Sequence, residues 1–99
     1  MANTIYIVIP VFNRLEFTRD CLNSLRKQTY GEFKVIVVDD GSTDGTYQHL
    51  KDNYPEVIIL QGDGNLWWTG ATNMGVRKAL ELSASNEDYI LTLNNDLVV

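Results

Sequence analysis

Asp39 and Asp40 stand side by side where the apolar run Val35-Ile36-Val37-Val38 breaks into Gly41-Ser42-Thr43-Asp44-Gly45. Carboxylates placed against a buried strand are costly unless they face solvent, pair with a cation, or accept hydrogen bonds from a ligand or from backbone N–H groups. One such acceptor can read a nucleobase N–H or a ribose hydroxyl. Asp96, preceded by Asn94 and Asn95, has the chemistry for a hard divalent cation, Mg²⁺ or Mn²⁺, which keeps several waters and takes its remaining ligands from a diphosphate. A cation there would stabilise the charge developing on a leaving diphosphate. Phe12 adds a flat apolar ring able to cover a base. These side chains lie far apart along the chain, so the fold has to gather them.

The elements that would do so are legible as apolar runs separated by helical patterns. Ile5 to Ile9 reads as strand one, ended by Pro10; Phe33 to Val38 as strand two; Val57 to Leu60 as strand three; Tyr89 to Leu93 as strand four. Asn13-Arg14-Leu15-Glu16 has the form of a capping box for a first helix running to about Lys27 and closed by Tyr30-Gly31. Ser42, Thr43 or Asp44 caps a second helix carrying Tyr47, Leu50 and Tyr54, stopped by Pro55. A third runs from about Thr69 to Ser83 with Ala71, Met74, Gly75, Ala79 and Leu82 on one face, Gly75 letting that face approach the sheet closely. Regular alternation of strand and helix implies an α/β fold, a three-layer α/β/α sandwich on a mainly parallel sheet with expected strand order 3-2-1-4. If strand one sits centrally, with strand two on one side and strand four on the other, the strand order reverses between strands one and four, and the crevice this opens beyond the carboxyl ends would hold Phe12, Asp40 and Asp96.

Several classes are excluded by the totals. The 99 residues make a single domain, and no apolar run is long enough to span a bilayer. A net charge of -5 argues against a nucleic-acid partner, so an anionic ligand needs a metal ion or local N–H donors. The lone cysteine, Cys21, shares a helix-spaced apolar stripe with Thr18, Leu22 and Leu25 and reads as core; with no disulfide to form and no signal-like N-terminus, a cytoplasmic location is expected. Bland readings remain open for the polar motifs: Asp39 and Asp40 as turn residues, Asp44 and Asn13 as helix caps, Asn94-Asn95-Asp96 as a turn. Trp67 and Trp68 are expected to divide, one packing and the other lining a ligand or partner surface. No G-x-G-x-x-G follows strand one, which disfavours a dinucleotide oxidoreductase, and strand three ends without the groups a phosphoacceptor domain needs. A non-catalytic binding module is the rival reading.

Taken in order, Ile7-Val8-Ile9-Pro10-Val11-Phe12-Asn13-Arg14, Val37 to Thr46, Gly64-Asn65 with Gly70, Asn73 and Gly75, and Leu93-Asn94-Asn95-Asp96 resemble the family 2 glycosyltransferases. The resemblance implies the nucleotide-diphospho-sugar transferase fold called GT-A, a Rossmann-like arrangement of which this chain would be the N-terminal, donor-binding half and a fragment of a longer protein. It implies that Pro10, Val11 and Phe12 flank the base, with Asn13, Asp39 and Asp40 at the nucleotide and Asp40 touching the base or its ribose. Gly70 and Asn73 would border the donor crevice, Asn95 would face ribose or diphosphate, and Asp96 would bind Mn²⁺ or Mg²⁺. The donor implied is a UDP- or dTDP-sugar and the acceptor a glycan or lipid-linked molecule, in bacterial surface polysaccharide synthesis, in the cytoplasm or at the cytoplasmic face of the membrane. The general base of an inverting transfer would lie downstream of Asp96, so no catalytic residue is assigned. Apolar surface left open for the other half would favour self-association.

Overall fold

The computed structural model describes residues 4–27, 32–83 and 88–93. In chain order these form β1 (Thr4–Val11), α1 (Leu15–Arg26), β2 (Glu32–Asp39), α2 (Thr46–Asn53), β3 (Ile58–Gln61), α3 (Trp67–Leu82) and β4 (Tyr89–Thr92). All pairings are parallel and the strand order is β3-β2-β1-β4, as the apolar pattern implies. β1 and β2 take the centre because both of their faces are apolar and need covering.

Side chains alternate across the sheet, so each face gathers its own core. On one face Ile7, Ile9, Val11, Val35 and Val37 meet Cys21, Leu22 and Leu25 of α1, together with Leu50, Tyr54 and Val57. On the other, Tyr6, Val8, Ile36 and Val38 meet Ala71 and Ala79 of α3. Two helices therefore cover one side and one covers the other, which is the three-layer sandwich. Cys21 is fully buried, in keeping with a packing role.

Some local expectations are corrected. Pro10 does not end β1; it stays in register with Val38, and the strand continues through Val11. Proline is tolerated because Val8, of the same parity, directs its carbonyl to Leu93 on the β4 side, while β4 pairs with β1 only as far as Val8. The next rung on that side would run from residue 10 to the Leu93 carbonyl, and lacking an N–H there Pro10 marks the end of the β1–β4 pairing while leaving the β2 side in register. The capping box does not form. Arg14 is the N-cap residue of α1 in a left-handed conformation and makes no side-chain cap. The Asn13 side chain instead accepts the Thr43 N–H at 2.8 Å, and Asp44, from the loop after β2, accepts the Leu15 N–H at 3.0 Å. Asp44 also accepts the Thr46 N–H at 3.2 Å, so one carboxylate serves the first turns of α1 and α2. α3 begins at Trp67, two residues before the expected Thr69, and Leu82 is 38% exposed rather than part of the buried face. The expected helix end at Tyr30-Gly31 falls outside the described residues.

Candidate functional site

The two carboxylates at the end of β2 are both buried, Asp39 at 2% and Asp40 at 5% exposure, and both are satisfied by backbone amides. Asp39 Oδ1 accepts the Ser42 N–H at 3.0 Å, closing the turn that follows the strand. That turn is tied to the β1–α1 loop by the Asn13 N–H, which donates to Ser42 Oγ at 2.7 Å. Asp40 reaches the other way. Its Oδ1 accepts from Gly64 at 2.9 Å, its Oδ2 accepts from Trp67 at 2.9 Å, and the Leu66 N–H lies between them at 3.2 and 3.1 Å. Leu66 has no side chain able to cap α3, so Asp40 supplies the acceptor for its free N–H groups, where the helix dipole favours a negative charge.

Two glycines allow the loops to close on this carboxylate. A Cβ at Gly62 would run into Asp40 Oδ1 and Leu66 Cδ1. At Gly41, where φ is +79°, a Cβ would lie 2.9 Å from the Gly64 Cα. The loops after β2 and β3 thus pack backbone to backbone, an approach only glycine permits.

A pocket of about 250 Å³ opens beside Asp40 at the carboxyl ends of β1 and β2, lined by Pro10, Val11, Phe12, Asp40, Gly64, Trp67, Trp68 and Ala71. Of the residues singled out from sequence, Pro10, Val11, Phe12 and Asp40 meet there. Asn13 and Asp39 stand outside the lining, within the hydrogen-bonded loops that hold it. Gly70 and Asn73 lie on the first turns of α3, also outside the lining. Asn95 and Asp96 fall outside the described residues, among which no group of three His, Cys, Asp or Glu is placed to hold a metal ion.

The expectation that one tryptophan packs is corrected: Trp67 is 77% and Trp68 58% exposed, and both line the pocket. Trp67, Trp68 and Ala71 were missed as a group. Their spacings of three and four place them on one side of the first helical turn, a signal that a helix start two residues earlier would have made visible. With Phe12, 57% exposed, the pocket has aromatic walls, an apolar floor from Pro10 and Val11, and one carboxylate at its edge. Such a lining suits a flat ring carrying a hydrogen-bond donor.

The model of the family described as glycosyl transferase family 2 matches residues 6–99. Glycosyltransferase GlyG of Streptococcus pneumoniae serotype 4 is 30% identical over 104 residues, covering 100% of this chain and 32% of the relative. The chain thus spans about a third of that protein's length. Among solved structures, S. aureus TarS 1-349 in complex with UDP superposes with a TM-score of 0.77 at 26% identity, over 94% of this chain and 27% of that 1-349 chain. Mannosyltransferase PcManGT from Pyrobaculum calidifontis, in complex with GDP-Man and Mn²⁺, shares the fold with a TM-score of 0.73 at 19% identity, over 93% of this chain and 27% of its own.

Proposed function

Because this chain belongs to glycosyl transferase family 2, we propose that it supplies the donor nucleotide site of an enzyme that transfers a sugar from a nucleotide-diphospho-sugar to an acceptor. The observation that carries this reading is the pocket itself: aromatic walls and an apolar floor around one buried carboxylate, at the carboxyl ends of two parallel strands. Phe12 covers the base, Pro10 and Val11 form the floor beneath it, and Asp40 offers its remaining acceptor capacity to a base or ribose donor. Asn13 and Asp39 act behind them by fixing the loops. Gly70, Asn73 and Asn95 border the path of ribose and diphosphate. A UDP- or dTDP-sugar is the donor class, which the UDP bound by TarS supports.

A divalent cation, Mn²⁺ or Mg²⁺, belongs to the same proposal, with Asp96 as its ligand. When bound, it would neutralise the diphosphate that a chain of net charge -5 otherwise repels. The Mn²⁺ held by the fold relative PcManGT accords with this. The acceptor is a glycan or lipid-linked molecule, the reaction belongs to surface polysaccharide synthesis, and the protein works in the cytoplasm or at the membrane's cytoplasmic face. No helix among the described residues is long and apolar enough to cross a membrane. Self-association through open apolar surface, including Tyr89 and Leu91 of β4, is part of the proposal for the isolated chain. Residues 1–99 form one domain, the N-terminal portion of the enzyme, and the general base lies beyond it.

Calorimetric titration with UDP, dTDP and GDP, each with and without Mn²⁺, tests the reading. UDP or dTDP should bind, more tightly with Mn²⁺, and Phe12→Ala should weaken binding roughly tenfold, as expected for one lost base–aromatic stack. Asp96→Ala should abolish the Mn²⁺ effect. A folded protein that binds none of the nucleotides would refute the proposal. Nucleotide binding without acceptor-dependent transfer by the full-length protein would favour a non-catalytic nucleotide-binding module.

A further inference from the structure

Trp67 carries two costs that nothing among the described residues repays. Its backbone φ is +59°, in the left-handed region that bulky side chains avoid, and its indole is 77% exposed. The conformation is imposed from outside the residue. Asp40 takes the N–H groups of Gly64, Leu66 and Trp67 together, and the glycines at 41 and 62 press the neighbouring loops against that carboxylate. The chain is therefore turned at Trp67 so that the ring becomes a wall of the pocket that also contains Phe12.

The same hydrogen bonds indicate what the wall faces. The N–H groups at the start of α3 would ordinarily make an anion site, but those of Leu66 and Trp67 are already engaged by a carboxylate whose charge repels phosphate. A diphosphate is thus unwelcome at this end of the pocket, and a flat, uncharged ring is not. Resting on the nucleotide-site reading above, we propose that Trp67 is a second base-contacting residue, stacking on the nucleobase of the donor, and that Asp40 acts as its positioning residue by holding the strained backbone.

The protein contains two tryptophans, which makes the contact directly observable. In Trp68→Phe the remaining indole is Trp67, and UDP with Mn²⁺ should change its fluorescence with the same midpoint that calorimetry gives. Trp67→Ala and Trp67→Gly both remove the ring and differ in whether the left-handed backbone is strained. Both should bind UDP roughly tenfold more weakly than the wild type. Trp67→Gly should nevertheless melt several degrees above Trp67→Ala, since glycine adopts positive φ without penalty. Binding by both variants at wild-type affinity, or a Trp67 fluorescence blind to UDP while calorimetry registers binding, would overturn the proposal and leave the nucleotide site standing. Failure of the wild type to bind any nucleotide would overturn both.

Discussion

α1 and α2 meet the sheet through large side chains, Leu22, Leu25 and Leu50, with Tyr54 just past the end of α2, whereas α3 meets it through Ala71, Gly75 and Ala79. On the first face the space between layers is filled by volume, and stability follows from the apolar area removed from water. On the second the helix is let down onto the strands: a Cβ at Gly75 would collide with Val8 Cγ1 and lie 3.1 Å from Val38 Cγ2. That close seating fixes the height of the α3 N-terminus, where Trp67, Trp68 and the amides around Asp40 build the pocket. One face holds the domain together. The other sets the position of the site.

The contrast can be tested by damaging each face and reading stability and nucleotide affinity separately. Leu50→Ala removes a fully buried side chain from the first face and should cost about 3 kcal/mol in urea unfolding, with UDP affinity of the folded protein unchanged. Gly75→Ala inserts a methyl group between α3 and the strands and should cost about 2 kcal/mol. Its distinguishing effect is on function: lifting α3 moves the pocket wall, so UDP affinity should fall several-fold at a smaller cost in stability. If Leu50→Ala weakens UDP as much as Gly75→Ala does, the two faces are not separable in this way.

The sheet was legible because β1 and β2 are apolar at every core position, a pattern that only burial on both faces explains. Gly75 was legible too, since a glycine within a helical stripe of small residues has a packing reason. The loops were not. Asn13 and Glu16 satisfy a local capping rule, yet the Leu15 N–H at the helix start is taken by Asp44, 29 residues away, the Asn13 side chain is drawn off to Thr43, and the Asn13 N–H that Glu16 would serve goes to Ser42. Local patterns can name the candidates for a free N–H and cannot rank a distant competitor. The pocket was half legible for the same reason. Pro10, Val11, Phe12 and Asp40 sit at strand ends that topology brings to one edge, whereas Trp67 enters through a left-handed turn imposed by Asp40 from another loop. Strain of that kind leaves no mark in residue spacing.

Asp44 offers the smallest and most specific test, because it ties loops of the first face without touching the pocket. Burial pushes its carboxyl up, but the hydrogen bonds from the Thr46 side chain and from the Leu15 and Thr46 amides outweigh this and hold it below the ordinary aspartate value. A carboxyl depressed in the folded state stabilises the fold fully above its unfolded pKa, about 3.9, and loses that contribution as pH falls through its lower folded value. Asp44→Asn keeps one oxygen acceptor and loses the charge and the second oxygen, so the Leu15 N–H goes without its partner. The variant should be less stable by about 1 kcal/mol at pH 7, the usual worth of a helix-terminal acceptor. That difference should shrink in the acid range and vanish once the wild-type carboxyl is protonated. Glu56, which the Arg26 guanidinium likewise holds below the ordinary range, is present in both proteins and cancels from the comparison. UDP affinity should not change. A difference that persists undiminished at pH 2 would mean that the geometry of the amide, rather than the lost charge, is what separates the two proteins.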